Sequence, residues 1–270
     1  MKLIESSVQI IEEKDPYKMI ELAGRTCYKS EDKITENSAK EFVDRMIKLG
    51  HGAMLEHGTI YLKIDKTEDG HLPPARLYWS DGNHKKYTRV RKHGNSIYVT
   101  TNLRVIVENN RLDDLQYQVE PTEHHEIRIT AKFICDRGVS HEFVRHRVFS
   151  FAQESQRYCN YSKDKFNNEI TFIMPSWWNY NSSIIESGER YFCEILQKCE
   201  DYYKSLLDMG YKPQEARAVL PNATKTELVM TGFESDWEHF LSLRTSKNAH
   251  PDAQKLANEL KELLINVKKY

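Results

Sequence analysis

The stretch EIRITAKFICDRGVSHEFVRHR (126–147) changes its hydrophobic period from two to nearly four at Asp136. Apolar residues alternate from Ile127 to Phe133, which is typical of a strand with one buried face. The Asp136 side chain can then cap a helix, and the apolar positions that follow predict a helix running on to His146. A strand that leads directly into a helix indicates a mixed fold.

The chain before this stretch shows the same two patterns. Residues 17–28 and 36–49 have helical spacing, and GTIYLKI (58–64) alternates as a strand. Glycine, proline and charge dominate residues 65–94, which we interpret as a loop. Residues 96–108 are rich in β-branched residues and predict further strand structure.

The chain after this stretch is mostly helical. We predict a long amphipathic helix at 184–209, a short helix at 213–220 and two final helices at 235–245 and 252–268. TELVMTGF (226–233) predicts a strand between them. The sequence contains no internal repeat, so the pattern predicts one α+β domain.

Composition narrows the class of protein. The chain has 270 residues, of which 39% are hydrophobic and 29% charged, and its formal net charge is −1. These values predict a globular protein and argue against a protein that coats nucleic acid by bulk charge. Neither a signal-like apolar segment at the start nor a run long enough to span a membrane is found, so we expect a cytoplasmic protein with no membrane partner.

Cysteine and histidine spacing gives no metal signature. The five cysteines include no Cys-x-x-Cys pair, and we expect free thiols. The histidines of HEFVRH (141–146) are five positions apart, whereas a zinc-protease helix needs four. His124, His125 and the basic run HKKYTRVRKH (84–93) are interpreted as solvated loop rather than as ligands or a nucleic-acid surface.

A dense cluster of cationic, hydroxyl and aromatic side chains lies in RHRVFSFAQESQRY (145–158). Arginine binds phosphate or another anion through its rigid fork of donors, and aromatic residues can flank a planar ring. A solvated basic turn with its aromatic residues in the core is the alternative. The residues that a bound anionic ring would use are Arg145, Arg147, Phe149, Ser150, Phe151, Ser155, Arg157 and Tyr158.

Several motifs resemble the flavin-dependent thymidylate synthases, the thymidylate synthase complementing protein family. RHRVFS (145–150) fits the family's Arg-His-Arg-x-x-Ser signature, and SQRY (155–158) fits the Ser-x-Arg-Tyr that follows it. Four other segments are similar in the same order: AGRTCYKS (23–30), HGAMLEHGTIYLKI (51–64), EARAVLPNATKTELVMTG (215–232) and WEHFLSLR (237–244). In the first of these, Cys27 stands where the family usually has serine.

The resemblance implies a fold and a reaction. The fold would be a single domain over 1–270, with a central, largely antiparallel sheet flanked by helices and an insertion at about 65–121. The family methylates C5 of dUMP to give dTMP, with methylenetetrahydrofolate as carbon donor and FAD, reduced by NADPH, as hydride source. It works as a homotetramer whose subunits share active sites, and it uses no protein nucleophile, so no catalytic cysteine is expected.

The resemblance also implies roles for residues of this chain. Arg244 corresponds to the arginine that holds the uracil edge and favours ionisation of N3. Further dUMP contacts are expected from Glu142, Arg145, Ser155, Gln156, Arg157 and Arg217. FAD contacts are expected from His57, Thr59, Arg145, His146, Arg147, Gln153 and His239.

Three positions depart from the family pattern. Phe233 and Ser235 replace the asparagine and arginine that often contact FAD after the TELVMTG-like strand, and Asn248 replaces a late histidine. They leave two other readings open: a divergent flavin- or nucleotide-binding paralogue with altered or no methyltransferase activity, and a nucleic-acid-binding module.

Overall fold

The computed structural model describes residues 1–67, 71, 73–80, 87–163, 166–178 and 187–267. The first half contains β1 (Lys2–Ile4), β2 (Ser7–Ile11), α1 (Pro16–Tyr28), α2 (Ser38–Lys48), α3 (Gly52–Leu55), β3 (Thr59–Asp65), α4 (Pro74–Ser80), β4 (Arg89–His93), β5 (Ser96–Asn102) and α5 (Leu103–Glu108). The second half contains β6 (Arg128–Asp136), α6 (Arg137–Phe143), β7 (Ser150–Gln153), β8 (Thr171–Ile173), α7 (Ser187–Asp208), α8 (Pro213–Ala216), β9 (Lys225–Phe233), α9 (Glu234–Arg244) and α10 (Pro251–Val267).

A four-stranded antiparallel sheet in the order β2-β6-β9-β7 lies at the centre. Strands β6 and β9 pair along their whole length, from Arg128 opposite Phe233 to Asp136 opposite Lys225. The alternating apolar residues of both strands pack against α6, α9 and α10 in one buried cluster. The predicted α+β class, with a largely antiparallel central sheet flanked by helices, is confirmed.

A second sheet, β3-β5-β4, is also antiparallel and shares a core with α2, α4 and α5. The predicted loop over 65–94 is therefore wrong in part, because α4 and β4 lie within it. Burial of Trp79 and the pairing of β4 with β5 stabilise structure where the local sequence is rich in turn formers. Within that predicted loop, residues 68–70, 72 and 81–86 lie outside the described residues.

The segment 96–108 is only half strand. Its second half is helix α5, because the Asn102 side chain accepts a hydrogen bond from the backbone N–H of Val105 at 3.1 Å and caps the helix. His125, expected in a solvated loop, is buried, and its Nε2 lies 3.1 Å from the carbonyl oxygen of Leu62. The basic run predicted as loop forms strand β4 over Arg89–His93.

A third, two-stranded parallel sheet pairs β1 with β8 and packs near α7. The predicted helices in this half of the chain are confirmed as α7, α8, α9 and α10. The predicted first residues of α7, 184–186, and the last residue of α10, 268, lie outside the described residues.

Helix α6 is capped as predicted but ends earlier. The Asp136 carboxylate accepts from the N–H of Val139 at 2.7 Å, and the helix stops at Phe143 rather than at His146. A turn follows, in which the N–H of His146 donates to the carbonyl of Phe143 and the N–H of Phe149 donates to the carbonyl of His146. Arg145 consequently lies in this turn. It does not continue α6, where it would have been one helical turn beyond Glu142.

Candidate active site

Arg244 is the last residue of α9, and its guanidinium donates hydrogen bonds to two residues, Glu142 of α6 and His146 of the turn that follows α6. Its Nε donates to Nε2 of His146 at 3.0 Å, and one terminal nitrogen donates to the carbonyl oxygen of Glu142 at 2.7 Å. The other terminal nitrogen donates to the Glu142 carboxylate. These bonds use three of the five N–H donors of a guanidinium. The orientation of Arg244 is thus set by protein contacts, and two donors remain for a ligand.

His146 is neutral in this arrangement. Burial first, and then the nearby Arg244, His239 and Arg145, lower the pKa of His146 from 6.5 to about 4. An imidazole nitrogen accepts from a guanidinium only when it carries no proton, so the hydrogen bond and the lowered pKa agree. The ring is fixed further by Phe240, whose centroid lies 4.9 Å away.

A cleft of about 720 Å³ opens beside these residues, and we call it the Arg244 cleft. Its walls are the Arg145–Val148 turn, the end of α9 and the loop up to Ala249. Arg145 and Arg147 are exposed in its wall and form no ion pair with another described residue. His239 lines the same cleft, with its ring centroid 6.4 Å from that of His146. The cleft is therefore cationic and open to an anion.

His57 belongs to a buried polar network on the central sheet, and Thr59 follows two residues later at the start of β3. Nδ1 of His57 lies 2.8 Å from the hydroxyl of Thr231, which lies 2.8 Å from that of Thr130. Burial, and secondly the charge of Arg128, lower the pKa of His57 to about 3. Its Nε2 is buried without a partner in the described ranges. A neutral histidine with one unpartnered nitrogen indicates a place for a ligand or water.

Arg128 joins this network to the Arg-His-Arg motif. Its guanidinium donates to the carbonyl of Glu56 at 3.0 Å, to the hydroxyl of Thr59 at 3.3 Å and to the hydroxyl of Ser150 at 3.3 Å. Sequence reasoning missed Arg128. The available signal was its position on the polar face of the alternating strand, where a charged residue is unusual beside a buried sheet.

Ser155, Gln156 and Arg157 lie apart from the Arg244 cleft. The chain reaches them after β7 and passes beside α1, where the N–H of Ser155 donates to the carbonyl of Cys27 at 2.9 Å. Arg157 is exposed, and its guanidinium lies 5.6 Å from the centroid of the Tyr158 ring. It is not among the residues that line the Arg244 cleft.

Gln153 and Arg217 also lie outside the lining of the Arg244 cleft, each in a different part of the chain. The amide nitrogen of Gln153 donates to the hydroxyls of Ser140 at 2.8 Å and Thr226 at 3.2 Å. Arg217 follows α8 and lies near enough to Arg137 to contribute, after burial, to a lowered pKa of Arg137. The residues predicted for one ligand site are therefore distributed over separate parts of a single chain.

Phe233, one of the three departures, is buried between two guanidiniums. The Arg89 guanidinium carbon lies 4.3 Å and that of Arg128 5.5 Å from its ring centroid. Ser235 donates to the Glu126 carboxylate, and Asn248 lines the Arg244 cleft. Cations consequently surround a position where the family pattern has polar residues.

The cysteines do not resemble activated nucleophiles. None of the five forms a disulfide with another described residue, and burial raises the pKa of Cys27 to about 11 and that of Cys135 further above its ordinary value. A raised pKa keeps a thiol protonated and weakly nucleophilic. Among the described residues there is no cluster of His, Cys, Asp and Glu suited to a metal ion. None of the described helices is long and apolar enough to cross a membrane.

Comparison with known proteins identifies one family. The family model described as thymidylate synthase complementing protein matches residues 9–69 and 116–268. A flavin-dependent thymidylate synthase of Geobacter sulfurreducens is 24% identical over 259 residues, covering 94% of this chain and 79% of that protein. One of Corynebacterium efficiens is 31% identical over 201 residues, covering 68% of this chain and 78% of that protein.

A solved structure shows a more distant likeness. The UMP/dUMP methylase PolB from Streptomyces cacaoi, crystallised with 5-Br dUMP, aligns over 98% of this chain and 93% of that chain. Its sequence identity to this chain is 17%, and the TM-score is 0.46.

Proposed function

Because the chain belongs to the thymidylate synthase complementing protein family, we propose that it methylates C5 of the uracil ring of dUMP and so forms dTMP. The carbon donor is methylenetetrahydrofolate, and NADPH is the reductant. The observation that carries this proposal is the fixed guanidinium of Arg244, which keeps two free donors at the wall of a cationic cleft.

Arg244 is the catalytic residue of the proposal. C5 of uracil has to act as a nucleophile toward the folate-derived carbon, and an N3 anion increases its electron density. A preorganised cation beside the uracil edge stabilises that anion without reorganising at the moment of reaction. Glu142 and neutral His146 hold Arg244 in one orientation, which supplies the preorganisation. Glu142 also contributes to binding dUMP.

The residues present fit a flavin. Arg145 and Arg147 offer unpaired charge for the diphosphate, and His57 offers a buried nitrogen without a partner in the described part of the chain. Thr59, His146, Gln153 and His239 complete the proposed FAD contacts. When bound, FAD supplies the hydride that completes the methyl group. The protein's own task is to bind, orient and exclude water.

The nucleotide contacts of Ser155, Gln156, Arg157 and Arg217 require a second chain. These residues make no described contact with the Arg244 cleft, whereas all of them are proposed to bind the same dUMP molecule. We infer that one copy supplies Arg244 and another supplies Arg157, in a homotetramer with shared sites. In this arrangement Arg145 contacts both dUMP and FAD, at the place where the two ligands meet.

A second candidate is a paralogue that binds flavin or nucleotide without methylating dUMP. The packing of Phe233 between Arg89 and Arg128 favours it, since this ring occupies a place where a polar flavin contact is usual in the family. A nucleic-acid-binding module is disfavoured by the net charge of −1.

The test combines a spectrum with turnover. The purified protein should show a flavin absorbance band that NADPH bleaches, and it should form dTMP from dUMP and methylenetetrahydrofolate. Arg244→Ala should lower turnover on the order of a hundredfold or more while flavin content stays, because one electrostatic group is lost. Arg190→Ala, on the exposed face of α7, is the control. A wild-type protein that binds FAD and dUMP but forms no dTMP would establish the paralogue instead.

A further inference from the structure

Arg128 of β6 is a cation among uncharged partners, and the sequence motifs assigned it no role. Its guanidinium donates to the carbonyl of Glu56 and to the hydroxyls of Thr59 and Ser150, which uses three of the five donors of an arginine. Its Nε is buried and has no hydrogen-bond partner in the described ranges. A buried cation is costly unless an anion accompanies it, so this residue indicates a place for an anionic group.

The carboxylates near Arg128 are paired with other arginines. Glu56 pairs with Arg104 at 2.6 Å, and Asp236 lies 3.7 Å from Arg89. Neither carboxylate forms an ion pair with Arg128, although both attract its charge over a longer distance. The positive charge of Arg128 is therefore only partly balanced by the described part of the chain.

The titratable side chains that face Arg128 are neutral. Burial first, and then the charge of Arg128, lower the pKa of His57 to about 3. Burial raises the pKa of the Tyr61 phenol, whose oxygen accepts from the backbone N–H of Arg128 at 3.3 Å. Neutral surroundings that exclude water strengthen the field of a cation, so the charge of Arg128 acts strongly on a ligand beside it.

Arg128 connects the two segments to which FAD contacts are proposed. Thr59 lies at the start of β3, and Ser150 is the serine of the Arg-His-Arg-x-x-Ser motif. One guanidinium donates to both hydroxyls, at 3.3 Å each. A flavin that contacts Thr59 and the turn of Arg145–Arg147 therefore comes close to the charge of Arg128.

The charge of a flavin ring changes when the ring is reduced. The oxidised ring is neutral. A hydride from NADPH brings two electrons and one proton, leaves NADP⁺ behind, and gives the reduced ring one negative charge. A fixed cation in a site of low dielectric stabilises this anion more than it stabilises the neutral ring, and charge close to the ring is one means by which a protein tunes a flavin.

We propose that Arg128 stabilises the negative charge of the reduced flavin and so raises the reduction potential of the bound FAD. The inference rests on the proposed function, because FAD has to bind beside Thr59. It goes beyond that function in assigning the redox tuning to an arginine that lies outside the motifs. NADPH is the only reductant that the step needs.

The potential of the bound FAD, measured at several pH values against a reference dye and without dUMP or folate, tests this proposal. Uptake of two electrons with one proton changes the potential by about 30 mV per pH unit, whereas uptake with two protons changes it by about 59 mV. The wild-type protein should show the shallower slope from about pH 6 to pH 8, because an adjacent cation lowers the pKa of the reduced ring by about 1–3 units. A slope of about 59 mV over this whole range would overturn the proposal, and this measurement requires no variant to fold.

Substitution of Arg128 then identifies the source of the effect. Arg128→Gln should lower the potential at pH 8 by about 30 mV or more, which corresponds to at least a tenfold loss of preference for the reduced flavin, and should steepen the slope toward pH 6. Arg128→Lys keeps the charge and should retain most of the potential. Arg91→Gln is the control, because Arg91 is exposed on β4 and donates to the carbonyl of Glu123 at 3.2 Å.

The affinity for oxidised FAD, followed by the quenching of its fluorescence, separates redox tuning from structural support. If Arg128→Gln weakens binding of both oxidation states equally, the potential stays at the wild-type value and the proposal is wrong. A wild-type protein that forms dTMP but has the steep slope contradicts this inference alone. A wild-type protein that binds no FAD overturns the flavin part of the proposed function and this inference with it. A shallow slope without dTMP formation supports the role of Arg128 in the paralogue.

Discussion

Arg157 carries its charge at the surface, and its guanidinium meets the Tyr158 ring rather than a carboxylate of the described chain. An arginine in that setting is available for a phosphate. Arg157→Ala should weaken dUMP binding by about 1.5–3 kcal/mol, the range for a hydrogen bond to a charged group. Arg157→Lys should restore part of the lost dUMP affinity, because lysine keeps the positive charge but lacks the rigid fork of N–H donors. Unchanged dUMP affinity by calorimetry would remove Arg157 from the site.

His57 makes stability depend on pH. Its folded pKa of about 3 lies below the ordinary 6.5, so the unfolded chain binds more protons between these values. The free energy of unfolding is therefore highest above pH 6.5 and decreases as the pH falls. Between pH 7 and pH 5 the loss from this one histidine should be about 2 kcal/mol.

Urea unfolding at several pH values checks this dependence. His57→Gln should flatten the slope between pH 7 and pH 5 by the stated amount, whatever its effect on overall stability. His141→Gln is the control, since His141 is exposed on α6. A slope that His57→Gln leaves intact would mean that His57 does not remain neutral in the folded chain.

At the scale of elements, the approach of β9 to the Arg-His-Arg turn depends on Gly232. A Cβ added there would lie 2.5 Å from two carbon atoms of the Phe149 ring, closer than packed atoms come. Gly232→Ala should therefore destabilise the protein by about 1–3 kcal/mol, the usual effect of overpacking. It should also displace the turn that carries Arg145 and Arg147.

Gly188 offers a matched control for Gly232. It lies in the first turn of α7, and a Cβ added to it meets no atom within 4 Å. Gly188→Ala should be neutral or stabilise the protein by up to about 1 kcal/mol, because alanine favours a helix. Denaturant unfolding of both variants gives the comparison, and equal effects of the two would show that Phe149 simply moves aside.

At the scale of the whole molecule, the segment 70–115 is outside the residues that match the family model. We propose that it is an insertion, as the resemblance implies for about 65–121. Its residues Trp79, Ile97 and Val99 nonetheless share one buried cluster with Phe42 of α2. The described residues of this segment are thus part of the core rather than of an appended unit.

Trp79→Ala tests that integration. Trp79 is 1% exposed, and its indole N–H donates to Asp114 at 2.9 Å. Its truncation should cost about 3–5 kcal/mol and shift the entire unfolding transition. Leu77→Ala on the same helix is the control, because Leu77 is 55% exposed. A separate early transition, with the rest of the chain unaffected, would show that the segment folds on its own.

Local signals in the sequence were sufficient for most of the fold. The alternation in β3 and β6, the Asp136 cap and the helical periodicity of α1, α2 and α10 all act over a few residues, and each of these predicted elements is present, as is the predicted strand β9. The Arg-His-Arg and Leu-x-x-Arg motifs singled out Arg145, His146, Arg147 and Arg244, and these four residues line the Arg244 cleft; their roles toward dUMP and FAD stay predictions.

Long-range packing decided the rest. Strand β4 and helix α4 have weak local preferences and form because β5 and the Trp79 core stabilise them. Arg128 became the link between Thr59 and Ser150 because strand pairing buried it, and no local pattern encodes such a contact. Arg157 was separated from Arg244 for the same reason. Sequence spacing determines which face of an element a residue occupies, whereas its neighbours depend on how elements distant along the chain pack together.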